Sequence, residues 1–338
     1  MVEFTVDTPF QKIYDLPEVK PLAPYFIWRH APKTPLVGTT TLREKGSGSP
    51  NRDINAQCDG VNYLLSRLLR GDKVLYDVYS PEEVAEDPEK EPVKLMFFPP
   101  EKEGAGFTEK AKQTEIKPFI LLCPGGGYNA VCSVIEGFST AQELNALGYP
   151  VFLLNYRVGY EHLMPAPFDD LAAGLKYIFA HADELGVSKE NYAVGGFSAG
   201  GHLAAEWGTD NFGYARYGLP KPAALVLVYA VIDRWLKVGE EAAMDRIYGG
   251  HTREILERFS VNKHAGSGYP PTFLVHCKDD PEVPVQNSLI LSDVLDGLGI
   301  PNELMLGEKG GHGFGSGRST DAVGWTKRAA AFWERQMH

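Results

Sequence analysis

From residue 73 onward, short apolar runs alternate with stretches whose apolar residues recur at helical spacing. Runs at 74–79, 93–98, 119–123, 151–156, 192–195, 224–229, 272–276 and 302–306, dominated by Val, Leu, Phe and Tyr, predict eight strands. Phe119-Ile120-Leu121-Leu122-Cys123 is apolar throughout, the mark of a strand buried on both faces. Helices are predicted between them, over 138–147 with Gly148 as C-cap, over 201–207 and 285–298, and from about 320 to 333. Another carries Leu171, Leu175, Ile178 and Phe179 on one face. Such alternation gives a mostly parallel sheet with helices on both faces. The first two strands are joined by a short acidic, proline-containing loop, 81–92, which suggests an antiparallel start.

Residues 1–70 break this pattern. They hold many prolines, the stretch Gly46-Ser47-Gly48-Ser49-Pro50 and a single helical face made by Val61, Leu64, Leu65, Leu68 and Leu69. We read them as an N-terminal extension that serves as lid, packing element or dimer element, ahead of a main domain at 71–338. The aromatic cluster Tyr25-Phe26-Ile27-Trp28 has the same range of uses: packing on the core, covering a pocket, stacking on a sugar ring or joining a dimer. The segment 233–269 is too long for a simple connection and carries helical stretches at 241–248 and 253–259. It reads as a small cap or pocket-forming insertion, because loops at the C-terminal strand ends carry the site in such sheets.

Composition narrows the function classes. Over 338 residues, 43% hydrophobic and 23% charged, the chain has an ordinary globular balance. A net charge of −11 argues against a nucleic-acid surface and against anionic membranes. The opening residues Met1-Val2-Glu3-Phe4-Thr5 show no basic region or apolar core of a signal peptide, and no apolar run approaches the length of a membrane span. Cys58, Cys123, Cys132 and Cys277 are scattered without metal-ligand spacing, and Cys123 and Cys277 fall in strand-like runs that suit buried, reduced thiols. The expectation is a cytoplasmic protein with no metal and no organic cofactor, and with a homo-oligomer left open.

The chemistry centres on Gly196-Phe197-Ser198-Ala199-Gly200, which follows an apolar run and precedes a helical one. A strand, a sharp turn and a helix present the central serine at a helix N-terminus, where free N–H groups can meet an oxyanion. A serine hydroxyl needs a base. Among the later histidines, His202 lies in the elbow helix and His276 inside an apolar strand. His312 follows the last strand in Gly310-Gly311-His312-Gly313, a loop able to approach another backbone. The acid is expected after the preceding strand, at Asp280 or its neighbour Asp279; Asp280 is favoured because Pro281 follows it. A second donor loop is available at Gly125-Gly126-Gly127, which lacks the Gly-Lys-Ser/Thr ending of a phosphate-binding loop. Tyr128, next in line, is a candidate substrate-binding residue.

In these stretches, together with Leu154-Asn155-Tyr156-Arg157-Val158, the sequence resembles the α/β-hydrolase superfamily from about Lys73 to the C-terminus. More narrowly it is similar to bacterial carbohydrate esterases of the acetylxylan-esterase-like branch and to hormone-sensitive-lipase-like esterases. The resemblance implies an α/β-hydrolase fold, with Ser198 as nucleophile, Asp280 as acid, His312 as base, and Gly126, Gly127 and Ala199 as oxyanion donors. It also implies a small-molecule ester substrate, an acetylated oligosaccharide among them. Pro124 stands where lipases with a triple glycine usually place histidine. A serine peptidase of the prolyl-oligopeptidase type and a non-catalytic ligand-binding protein are the alternatives.

Overall fold

The apolar runs assemble into one eight-stranded sheet. The computed structural model describes residues 3–30, 38–46, 53–100, 117–236 and 241–337. Its strands are β1 (Leu75–Asp77), β2 (Lys94–Phe98), β3 (Pro118–Cys123), β4 (Val151–Asn155), β5 (Ser188–Phe197), β6 (Ala224–Val228), β7 (Thr272–Cys277) and β8 (Asn302–Gly307). The order across the sheet is β1-β2-β4-β3-β5-β6-β7-β8. The β1–β2 and β2–β4 pairs are antiparallel and all later pairs parallel, so the sheet starts antiparallel. In β4, β6 and β7 every residue is buried, which means that both faces of the central sheet are covered.

Several boundaries differ from the sequence pattern for identifiable reasons. The helix Ile54–Leu69 starts before its apolar stripe because the Asp53 side chain caps it, accepting from the N–H of Ala56 at 2.9 Å. The 81–92 loop contains the helix Pro81–Glu86, held by a capping box in which Ser80 and Glu83 each bond the other's backbone. The last helix, Trp325–Glu334, begins several residues later than expected, after Gly324 at φ +78°.

The aromatic cluster of the N-terminal region packs on the core. Tyr25, Phe26, Ile27 and Trp28 are buried, and Phe26 meets Phe10, Tyr14 and Phe138 edge-on. Trp28 bridges to Val131, so this region braces the chain just beyond the Gly125–Gly127 loop. These rings are therefore closed to a sugar or a partner. Residues 49, 50 and the rest of 47–52 lie outside the described residues, so nothing structural attaches to most of the glycine-serine stretch.

Candidate active site

At the C-terminal end of β5 the backbone turns sharply. Phe197 is extended (φ −120°), and Ser198 switches to φ +52° as it opens the helix Ser198–Glu206. A non-glycine residue in that region stores strain, of order 1–3 kcal/mol, which surrounding contacts must hold. Gly196 and Gly200 are required for space. A Cβ on Gly196 would sit 2.1 Å from the Gly200 carbonyl oxygen, and one on Gly200 would sit 2.1 Å from that of Cys123. The elbow is thus pressed against β3, which carries the glycine loop.

His312 reaches Ser198 from the loop after β8. Its Nε2 is 2.8 Å from Ser198 Oγ, and its Nδ1 is 2.7 Å from Asp280 Oδ2. A carboxylate can only accept, so Nδ1 carries the proton and Nε2 is left with a lone pair facing the serine hydroxyl. Asp280 follows β7, and its other oxygen accepts the backbone N–H groups of Glu282 and Val283, both at 2.8 Å. Burial pushes the Asp280 carboxyl upward. Hydrogen bonds from His276 and His312, the charge of His312 and the Val283 N–H outweigh it, holding the group well below the usual carboxylate range. Exposed Asp279 does something else: its Oδ1 accepts the N–H groups of Gly310 and Gly311 at 2.9 and 2.7 Å, fixing the loop that carries His312.

His276 also reaches the carboxylate. It does not approach Ser198, but its Nε2 lies 3.1 Å from Asp280 Oδ2 and 2.9 Å from the Val283 carbonyl, while Nδ1 pairs with Ser288 Oγ at 2.8 Å. Two imidazoles therefore share one oxygen of Asp280. The motif order carried no signal for this, since it searches for the base of the serine and not for a second donor to the acid. His202 serves the scaffold, between the Tyr128 hydroxyl (2.8 Å) and the Phe259 carbonyl (2.7 Å).

The glycine loop offers backbone donors beside Ser198. Gly126 (φ +137°) and Gly127 (φ +62°) hold conformations that suit glycine, and a Cβ on Gly126 would meet the Ala130 carbonyl oxygen at 2.2 Å. The Gly125 N–H is already occupied, donating to Glu136 Oε2 at 2.5 Å. No described residue accepts from the N–H groups of Gly126, Gly127 or Ala199. The other oxygen of Glu136 accepts from the Tyr229 hydroxyl at 3.0 Å, and that hydroxyl accepts from the Gly315 N–H at 3.2 Å in the His312 loop. Glu136 is buried and stands outside every motif quoted above.

A cavity of 340 Å³ opens over these groups, lined by Gly126, Gly127, Ser198, Ala199 and His312. That is small-molecule size. Segment 233–269 contributes Arg234, Met244 and Ile247 to its wall. Tyr128, the candidate substrate-binding residue, also lines the cavity, with its hydroxyl 2.8 Å from His202 Nδ1. Among the described residues no cluster of His, Cys, Asp and Glu could hold a metal ion, and no helix is long and apolar enough to cross a membrane. Such an arrangement can pass a proton from a hydroxyl to an imidazole held by a carboxylate, with uncommitted N–H groups close by.

Known proteins share this arrangement's frame. The chain is 27% identical over 217 residues to endo-1,4-beta-xylanase B of Butyrivibrio fibrisolvens, covering 61% of this chain and 34% of that one. It is 27% identical over 203 residues to an acetylxylan esterase of Xylanibacter ruminicola, covering 59% and 41%. These matches span less than half of each relative's length. Among solved structures, an acetyl ester-xyloside bifunctional hydrolase from Caldicellulosiruptor lactoaceticus superposes with a TM-score of 0.62 at 28% identity, over 77% of this chain and 95% of that one. The sheet is that of the α/β-hydrolase fold. A family model described as BD-FAE matches residues 107–295, more than half of the chain. That span runs from the strand before the glycine loop through the serine elbow to the acid after β7, and on its strength the chain belongs to the BD-FAE family.

Proposed function

We propose that the chain is a serine carboxylic-ester hydrolase that works through an acyl-enzyme and deacetylates small acetylated sugars or similar short-chain esters. One observation carries this reading: the continuous Ser198–His312–Asp280 hydrogen-bond chain, at 2.8 and 2.7 Å, beside uncommitted N–H groups. His312 Nε2 takes the proton as Ser198 Oγ attacks the ester carbonyl, and Asp280 stabilises the imidazolium without taking the proton itself. The N–H groups of Gly126, Gly127 and Ala199 receive the developing oxyanion, and loss of one such donor raises the barrier by about 3 kcal/mol. His312 then returns its proton to the leaving alcohol, and water repeats the cycle on the acyl-enzyme.

The acetyl and sugar preference draws on the names of the acetylxylan esterase and the acetyl ester-xyloside hydrolase that this chain resembles, and on the size of the cavity. Buried thiols at Cys58, Cys123 and Cys277 suit a reducing compartment, and with them a cytoplasmic location. Ser198→Ala tests the mechanism. It should abolish p-nitrophenyl acetate hydrolysis and fluorophosphonate labelling while leaving the melting temperature close to that of the parent. Full activity in this variant sinks the proposal. A screen of acetyl, butyryl and feruloyl esters, with acetylated oligosaccharides, then tests the substrate class.

A further inference from the structure

Arg234 is a buried cation with no ion-pair partner among the described residues. It follows β6, is 5% exposed, and lines the same cavity as Ser198 and His312. Among the described residues its Nη2 meets only the Met244 thioether, at 3.3 Å, and its guanidinium lies 4.9 Å from the centre of the Tyr248 ring. Its Nε is buried with no hydrogen-bond partner, as is the Tyr248 hydroxyl. No described carboxylate forms an ion pair with it. Glu206, buried nearby, acts on the same tyrosines, Tyr128 and Tyr248, but makes no ion pair with Arg234; its Oε2 accepts from Thr209, and its Oε1 lies 3.5 Å from His202 Nε2 with no hydrogen-bond partner. A thioether is a weak acceptor and an aromatic face compensates only part of a charge, so an uncompensated guanidinium here is costly.

The surroundings extend the pattern. An adjoining cavity of 450 Å³ shares Gly126, Asn129 and Cys132 with the first and is lined by Arg29 and Arg246. Neither arginine has an ion-pair partner among the described residues; Arg246 donates to the Asn129 side chain. In a chain of net charge −11, three arginines line these two adjoining cavities with no ion-pair partner among the described residues. The acids that do line the first cavity are otherwise placed: Glu136 is held by Gly125 and Tyr229, and Glu282 stands largely exposed at the rim, 4.0 Å from His312.

We propose that Arg234 binds a carboxylate carried by the ester substrate itself, so that the protein favours esters with a free carboxylate in the acyl or alcohol portion over neutral ones. This deepens the esterase reading and rests on it. A planar fork matches a carboxylate in two parallel hydrogen bonds, which a neutral sugar hydroxyl cannot supply together with the missing charge. Arg29 and Arg246 line the approach and draw such a substrate in, an attraction that salt weakens.

The test compares isosteric pairs. Mono-p-nitrophenyl succinate against p-nitrophenyl succinamate places the charge on the acyl side, and p-acetoxybenzoate against p-acetoxybenzamide places it on the alcohol side. In at least one pair, kcat/KM should favour the anion by about tenfold or more, the preference shrinking as ionic strength rises. Arg234→Gln should bring that ratio near one, and Arg234→Lys should keep part of it. Because the ratio is taken within each variant, a general loss of folding or activity cancels. Neutral esters turned over with no anionic preference in either pair, or a preference that survives Arg234→Gln, overturn the proposal and leave the esterase reading standing. Failure of Ser198 to react with a fluorophosphonate, with no ester hydrolysed, overturns both.

Discussion

Asp280→Asn is the substitution whose outcome the geometry constrains most tightly. The asparagine oxygen must stay where Asp280 Oδ1 is, because the Glu282 and Val283 N–H groups point at it from 2.8 Å and would oppose an amide NH₂. The new NH₂ then replaces Oδ2 and faces His312 Nδ1 at 2.7 Å. His276 loses little, since its Nε2–H can turn to the Val283 carbonyl at 2.9 Å. His312 loses its tautomer: Nδ1 must now accept, the proton moves to Nε2, and the nitrogen facing Ser198 becomes a donor that cannot take a proton. We expect kcat for p-nitrophenyl acetate to fall by about 10³–10⁴-fold, roughly 4–5.5 kcal/mol in the barrier. Loss of charge-assisted bonds should lower stability by only about 1–3 kcal/mol. Asp279→Asn is the matched control, since its amide oxygen can still accept from Gly310 and Gly311, and it should change kcat by less than about fivefold. Steady-state kinetics with a circular-dichroism melt on each variant decide the matter. A folded Asp280→Asn enzyme within tenfold of the parent, or a larger loss at Asp279→Asn, refutes this reasoning.

Three further outcomes follow from the same geometry. Gly200→Ala drives a Cβ to within 2.1 Å of the Cys123 carbonyl oxygen, so the elbow must shift away from β3; a loss of about 3 kcal/mol or more in denaturant melts is expected, with activity falling alongside. Asp280 has its folded pKa below its ordinary value of 3.8, so it contributes stability that is present above that pH and is lost as pH falls below it toward the folded value. The parent's melting temperature should therefore drop more steeply than that of Asp280→Asn on acidification below about pH 4, and parallel slopes would count against the hydrogen-bonded carboxylate. Cys132 is the half-buried cysteine that lines the cavity, whereas Cys58, Cys123 and Cys277 are buried and the Cys277 thiol is pushed up to about 12 by burial and neighbouring aspartates. A small thiol reagent on the native protein should modify Cys132 first and suppress hydrolysis; first modification at Cys277, read by peptide mass mapping, would contradict this burial.

What the sequence displayed and what it hid divide along physical lines. Strands buried on both faces must be apolar throughout, so runs such as Phe119 to Cys123 announce a parallel sheet without any knowledge of partners. Ser198, Asp280 and His312, singled out by their position after successive strands, do meet in space, because a parallel sheet brings its C-terminal strand ends to one edge. Adjacent Asp279 and Asp280 are indistinguishable in composition; one buried and one exposed side chain separate them. Ser80-x-x-Glu83 was a readable capping signal beneath the proline-rich look of its loop. Glu136, His276 and Arg234 had no such signal. Their contacts join separate elements or, for His276, cross a tight turn, and only packing reveals whether a buried polar side chain is satisfied.

Glu136 carries a consequence for how such a site can change. One carboxylate holds the glycine loop after β3 with one oxygen and, through Tyr229, the histidine loop after β8 with the other. On the proposed reading, the group that receives negative charge and the group that moves the proton share a single tether. Substitutions in the two loops should then interact far more strongly than their separation in sequence suggests, with double-mutant effects departing from the sum of the singles. Variation in substrate preference has an easier route through the 233–269 wall, where a side chain such as Arg234 can be exchanged without disturbing that tether.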